Sequence, residues 1–193
     1  SNSNKVKHEI ERNLNVLEHY GIKVKKQQTF FDLLQEKREW ARLFLDEIFD
    51  SSEGFVVIHP GSPVPLKRWS YNNFSELADR LIQDKDVQVI FVGTEDEKPI
   101  IEEIQSEMWC DSVNLAGKTD LQELGAILEN SVLFIGNDSA PMHIASAVGV
   151  YTIGLFGPGS PERFGPYGRH CYAIRKTKCP PCMAEKCKRN IRC

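Results

Sequence analysis

Apolar positions change their spacing once along this chain. Before residue 55 they follow a helical period. Ile10, Leu14, Leu17 and Tyr20 mark one side of a helix predicted over residues 5–20, with Gly21 as its C-terminal cap. A second helix is predicted over residues 35–49, with Trp40, Leu43, Phe44 and Ile48 on one side. Ser51-Ser52-Glu53-Gly54 reads as a linker. From Phe55 onward, short continuous apolar runs alternate with helical stretches. The predicted strands are Phe55–His59, Gln88–Val92, Ser112–Leu115, Val132–Ile135, Tyr151–Phe156 and Cys171–Ile174. The predicted helices are Tyr71–Gln83, Glu95–Met108, Leu121–Glu129 and Met142–Val148, with Ser70 and Asp120 placed as N-caps. Strand–helix alternation implies right-handed crossovers and an α/β fold. Its parallel sheet, of about six strands, carries helices on both faces. The expected division is 1–54 as a helical leader and linker and 55–193 as a Rossmann-like domain ending in a Cys-rich tail, 171–193.

In such a sheet ligands sit outside the carboxyl ends of the strands, so each strand end is a place to look for chemistry. The fourth is the richest: Gly136-Asn-Asp-Ser-Ala-Pro-Met-His143 lies between an apolar run and a helix. A helix N-terminus there favours an anion, and Pro141 fits the first helical turn. Asp138, Ser139 and His143 add a carboxylate, a hydroxyl and an imidazole. A lone histidine is commonly structural. About one turn into the helix, however, His143 can lean back, doubly protonated, toward a phosphate. The first strand ends in His59-Pro-Gly-Ser-Pro-Val-Pro-Leu-Lys-Arg-Trp69. Gly61 permits close backbone approach, Ser62 offers a hydroxyl and an N–H, and Lys67 and Arg68 add charge. The same stretch also reads as a Pro-rich surface loop with solvated cations; the spacing is not that of a P-loop. After the second strand, Glu95, Asp96 and Glu97 suit a helix dipole, or one of them binds a ribose. Lys118, after the third, lines the cleft or caps an edge. The fifth ends in Phe156-Gly-Pro-Gly-Ser-Pro161. Five consecutive ends of this kind make a ligand cleft, and the expected ligand is a phosphorylated small molecule.

Length and composition fit one core domain with an appendage. The chain has 193 residues, 41% hydrophobic and 26% charged, with a formal net charge of -3. Bulk charge gives no support for a nucleic-acid partner. No apolar run approaches the roughly 20 residues that span a membrane. No signal peptide is legible, which by default places the protein in the cytoplasm. Of six cysteines, Cys171, Cys179, Cys182, Cys187 and Cys193 crowd the end, and Cys110 stands apart. The spacing C-x2-C-x4-C-x5-C from Cys179 to Cys193 suits a structural zinc site, local disulfides or free thiols. Lys176, Lys178, Lys186, Lys188, Arg189 and Arg192 surround it. They form a basic patch suited to anionic lipid at the inner membrane face, or simply a solvated face.

Taken together, His59-Pro-Gly-Ser with Lys67-Arg-Trp, Val92-Gly-Thr-Glu-Asp-Glu97, Asn114-Leu-Ala-Gly-Lys-Thr119, Asn137-Asp-Ser-Ala-Pro-Met-His143 and Leu155-Phe-Gly-Pro158 carry a resemblance. From about residue 55 to the end, the chain resembles the C-terminal half of glycosyltransferase family 9, the ADP-heptose:lipopolysaccharide heptosyltransferases. The leading helices resemble the tail of that family's N-terminal domain and its linker. The resemblance implies a GT-B fold and inverting transfer of heptose from ADP-heptose to a lipopolysaccharide core acceptor. This chain would be the donor-binding half. The acceptor, a lipid-linked glycan, and the general base would belong to an N-terminal domain mostly outside it, leaving the chain alone inactive. Ser62 and Lys67 would hold the diphosphate, and Lys67 would neutralise the leaving group, with no cofactor or metal needed for catalysis. Glu97 would bind the ribose, and Lys118 and Thr119 would line the donor site. Ser139 and Ala140 would offer N–H groups, with His143 beside them. Asp138 would cap the helix or grip donor-sugar hydroxyls. Where the family has Asp-Thr-Gly, this chain has Asp138-Ser139-Ala140. The resemblance implies a cytoplasmic enzyme, peripheral at the inner membrane face. Two rivals remain: a GT-B enzyme using another nucleotide sugar, such as another transferase or an epimerase, and a zinc-ribbon module binding nucleic acid through the tail.

Overall fold

The computed structural model describes residues 6–24, 29–49 and 54–187. Along the chain run α1 (Glu9–His19), α2 (Gln35–Ile48), β1 (Phe55–His59), α3 (Tyr71–Lys85), β2 (Gln88–Phe91), α4 (Lys98–Ser106) and β3 (Val113–Asn114). They are followed by α5 (Leu121–Asn130), β4 (Leu133–Asn137), α6 (Ala140–Val148), β5 (Thr152–Leu155), α7 (Pro161–Phe164) and β6 (Cys171–Ile174). The six strands form one parallel sheet in the order β3-β2-β1-β4-β5-β6. The expected α/β class and six-stranded parallel sheet are what the structure has.

The order reverses between β1 and β4. The chain first winds outward from β1 to β3, then returns to β4 and winds the other way. Loops leaving the carboxyl ends of β1 and β4 therefore diverge and open a crevice. Register sets the two ends level, because His59 pairs with Gly136.

Successive residues of a strand face opposite sides, and the core divides accordingly. On one face Phe55, Val57, Ile90 and Phe134 pack with Leu124, Leu128, Met142 and Ala145 of α5 and α6. On the other, Val56, Ile58, Val89, Phe91 and Ile135 pack with Phe74, Ala78, Ile101 and Ile104 of α3 and α4. All five residues of β1 are buried, as a central strand covered on both faces requires. The edge strand β6 is largely exposed beyond Cys171.

Helix α2 belongs to the first face: Ala41 and Leu45 are buried there with Leu33. Arg38 reaches Glu129 through two hydrogen bonds, 2.8 and 3.0 Å, and Lys37 bridges Asp120 and Glu123 of the α5 capping box. The buried stripe is thus Ala41–Leu45 rather than the predicted Trp40–Leu43–Phe44–Ile48 side. Trp40, Phe44 and Ile48 flank it half-buried, and Leu43 is exposed. Helix α1 buries no residue; Leu17 and Tyr20, read as its apolar face, are exposed. Polar contacts hold it to α7: His8 Nε2 donates to the Gly165 carbonyl and Arg163 pairs with Glu9 at 2.7 Å. Gly21, at φ +78°, ends α1 as expected, and its N–H bonds the Glu18 carbonyl.

Several boundaries shift for local reasons. Asp120 caps α5 through the Glu123 N–H, but Ser70, at the N-cap of α3, makes no capping bond. The predicted helix Glu95–Met108 is a 3-10 turn over Glu95–Glu97 followed by α4, since Pro99 restarts the helix. Most of the 51–54 linker lies outside the described residues.

The burial of Leu45 carries a direct test. Leu45→Ala leaves a cavity between α2 and α5 and should lower stability by about 2–4 kcal/mol, read from the midpoint of urea unfolding.

Candidate functional site at the β1–β4 crevice

Asn137, at the end of β4 and fully buried, pins the β1 loop at both ends. Its Oδ1 accepts the Trp69 N–H at 3.0 Å, and its Nδ2 donates to the carbonyls of Pro60 at 2.7 Å and Gly61 at 3.3 Å. Arg68 Nε closes the loop further on the Ser62 carbonyl at 2.8 Å. A short turn, Pro65–Lys67, then delivers Lys67 across the crevice. Its ammonium lies 2.8 Å from Asp138 Oδ2. Asp138 is buried, and Oδ2 receives no well-directed hydrogen bond, so the contact is an ion pair in which the acceptor is incompletely satisfied. Gly159, in the β5–α7 loop, leaves it room: a Cβ there would come within 2.5 Å of Oδ2.

Asp138 therefore does not cap α6. The N-cap is Ser139, whose side chain makes no capping bond, and the second helical residue is Pro141, which has no N–H. The amide hydrogens at the head of α6 are left without a side-chain cap, facing the same crevice as Lys67.

A second chain of contacts runs behind this pair. His59, 3% exposed, bonds Glu97 Oε2 through Nε2 at 3.1 Å and Ser139 Oγ through Nδ1 at 2.9 Å. Glu97 Oε2 also accepts the Thr94 N–H at 2.9 Å in a capping box. Burial works against charge on Glu97. The hydrogen bonds from His59 and Thr94, helped by the positive charge the His59 ring carries whenever it is protonated, outweigh it and hold the carboxyl down at about 2. Gly61, read as permitting close backbone approach, makes room for this carboxylate, and so does Gly93: a Cβ on Gly61 would lie 2.0 Å from Glu97 Oε1, and one on Gly93 3.1 Å from Oε2.

Of the residues marked from sequence, the structure thus brings together Lys67 and Asp138, and Glu97 with Ser139 by way of His59. Ala140 opens α6 beside them. His143, one turn on, keeps part of its ring open to solvent; the protein around it pushes its pKa below the ordinary value, against the pull of Asp138 and with Lys67 and His8 adding to the shift. Ser62 is 1% exposed and does not present its hydroxyl to the crevice; that oxygen accepts the Val64 N–H at 3.3 Å. Lys118 is exposed and Thr119 half-buried in the loop after β3, where Gly117, at φ +71°, lies against Glu95. His59 and Asn137 went unmarked as site residues. Each stands next to a glycine-rich or acidic motif, but their importance rests on bonds across 38 to 80 residues of sequence.

The Cys-rich tail folds back on the β5–α7 loop. Arg175 reaches the carbonyls of Gly157 and Cys179, and the N–H groups of Cys182 and Met183 bond the Pro158 carbonyl. Among the described residues no three His, Cys, Asp or Glu side chains converge as metal ligands. Cys193, the fourth member of the zinc set suggested by the spacing of Cys179, Cys182 and Cys187, lies outside the described residues. Cys110, Cys171, Cys179 and Cys182 are free thiols.

A family model for glycosyltransferase family 9 (heptosyltransferase) matches residues 2–191. The chain belongs to this family. It is 37% identical over 155 residues to lipopolysaccharide heptosyltransferase 3 of Escherichia coli K12, covering 78% of this chain and 44% of the relative. A family 9 glycosyltransferase from Veillonella parvula superposes with a TM-score of 0.82 at 27% identity, over 89% of this chain and 50% of that one. The Escherichia coli ADP-heptose lipopolysaccharide heptosyltransferase II superposes at 0.67 and 26% identity, over 77% of this chain and 46% of that one. The chain spans about half the length of these relatives. Among the described residues no helix is long and apolar enough to cross a membrane.

Glu97 generates a pH prediction. A depressed carboxyl stabilises the fold above its unfolded value of 4.5, and that contribution is lost as pH falls from there toward about 2. Glu97→Gln should be less stable than the parent near neutrality by on the order of 2–3 kcal/mol. The gap should close on acidification, read by denaturant unfolding at a series of pH values.

Proposed function

We propose that this chain is the donor-binding half of a heptosyltransferase that transfers heptose, with inversion, from ADP-heptose to a lipopolysaccharide core acceptor. Family membership supports the reaction class, and the names of its relatives, lipopolysaccharide heptosyltransferase 3 and ADP-heptose lipopolysaccharide heptosyltransferase II, support the donor and acceptor. The observation that carries the reading for this chain is the Lys67–Asp138 pair in front of the uncapped head of α6.

A diphosphate entering the crevice meets the Lys67 ammonium and the first amides of α6, both of which favour an anion. It competes with Asp138 for Lys67. Asp138 then needs a donor for Oδ2, and hydroxyls of the sugar beside the diphosphate supply one. The apo ion pair thus holds both groups in place until the donor separates their duties. In transfer, charge grows on the departing ADP, and Lys67 stabilises it at the moment it develops. Lys67 and the helix N-terminus carry this charge, so the reading needs no metal ion. Glu97 reads the ribose from the next loop, and Lys118 and Thr119 border the nucleoside end. Ser62 acts through the shape of its loop, with Arg68 held on its carbonyl. The base that deprotonates the acceptor hydroxyl and the site for the lipid-linked glycan belong to the other half of the enzyme. The acceptor's lipid places the reaction at the cytoplasmic membrane surface.

Titration calorimetry of the full-length protein with ADP-heptose, ADP and UDP tests the assignment. ADP and ADP-heptose should bind saturably, and Lys67→Ala should weaken both by about tenfold or more, the size of one lost charge-assisted hydrogen bond. A preference for UDP, or no nucleotide binding by a folded sample, overturns it.

A further inference from the structure

His59 is buried, is held at both ring nitrogens, and is given no part in the reading above. Its two partners are Glu97 and Ser139, which the function proposed above assigns to the ribose and to the diphosphate of the donor. We propose that His59 is a positioning residue that aims the Ser139 hydroxyl, so that binding of the nucleotide-sugar diphosphate is coupled to protonation of the His59 ring.

Glu97 is ionised and can only accept, so His59 Nε2 must carry a hydrogen. In the neutral ring Nδ1 is then a bare acceptor. The Ser139 hydroxyl has two acceptors within reach, His59 Nδ1 at 2.9 Å and the Asn137 carbonyl at 3.1 Å. With the ring neutral, Nδ1 is satisfied only if Ser139 gives it that hydrogen. Oγ then shows nothing but lone pairs to the crevice, the wrong face for a phosphate oxygen. When the ring gains a proton, Nδ1–H donates to Oγ instead. The hydroxyl hydrogen is released from Nδ1 and can turn to an anionic oxygen at the head of α6. An incoming diphosphate at Ser139 therefore selects the protonated ring, and Glu97 steadies the positive charge from the far side.

The charged group that touches this ring is Glu97; the head of α6 beyond Ser139 also holds Asp138, Lys67 and His143, which act on one another. Asp138 and Lys67 are paired with each other. His143 is the other histidine at the head of α6, so the experiment must separate it from His59.

The inference rests on the diphosphate lying at α6, the reading proposed above. ADP-heptose is the probe, because its diphosphate is esterified at both ends and has no proton to gain or lose near neutrality. Calorimetry of the full-length protein in buffers of different ionisation enthalpy counts protons taken up per donor bound. In a His143→Gln background, uptake should persist. Affinity there should fall as pH rises, by up to about tenfold per pH unit where uptake approaches one proton per donor bound. Adding Ser139→Ala, which leaves the ring and Glu97 in place, should abolish that uptake and flatten the pH profile; His59→Gln should do the same. Absence of proton uptake in the His143→Gln protein, or its persistence after Ser139→Ala, overturns the inference while donor binding itself still stands. Failure of ADP-heptose to bind the parent protein overturns both.

Discussion

Polar groups buried where the sheet reverses direction must find partners inside the protein, and that constraint shapes the whole crevice. The ends of β1 and β4 sit level and bring a histidine, an asparagine, an aspartate and a serine into a space with little water. Leaving any of them unpaired would cost roughly 1–3 kcal/mol each. Asn137 meets the demand by tying the β1 loop at both ends, and His59 by joining Glu97 to Ser139. Only Asp138 Oδ2 is left with a charge contact and no directed hydrogen bond. The incomplete member of an otherwise satisfied network is the natural point for a ligand to complete it.

On the proposed function, the same network readies a flexible lysine for the role of electrostatic catalyst. A free lysine would lose rotamer freedom on meeting a phosphate, at a cost of up to about 2 kcal/mol. Here the loop is pinned by Asn137 and the ammonium is already parked on Asp138, so part of that ordering is complete before the donor arrives. In the proposed transfer, preorganisation of this kind would favour the transition state, where the charge on the leaving diphosphate is largest. The tail adds a further layer. By holding the Gly157–Pro158 stretch through Arg175, Cys182 and Met183, it buttresses the loop whose Gly159 backs Asp138. Cys179 and Cys182 are held near that loop, and among the described residues no three side chains converge as metal ligands.

Strand–helix alternation and the continuous apolar runs made the sheet legible, because both follow from local chemistry: a doubly covered strand must be apolar throughout, and a covering helix must be apolar on one stripe. The strand ends were legible for the same reason, since glycine and polar residues can only interrupt such runs at turns. What local pattern misjudged were the helices ahead of β1. Helix α1 has a clear apolar period, yet Leu17 and Tyr20 stay exposed and its anchors are His8 and Glu9. In α2 the buried stripe is rotated onto Ala41 and Leu45, because α5 and its Lys37 and Arg38 partners dictate which side faces inward.

The sequence by itself determined the class of fold, the strand ends that carry chemistry, and a phosphate-friendly turn at residues 136–143. Those are matters of composition and spacing over a few residues. Only the tertiary structure decided who pairs with whom. Lys67 meets Asp138 across 71 positions, and Glu97 occupies the space that Gly61 and Gly93 leave open. His59 becomes the link between the two ends of the site. These contacts are set by the register of β1 on β4 and by the reversal of strand order between them. That geometry exists only when distant segments are laid side by side, so no local pattern of residues announces it.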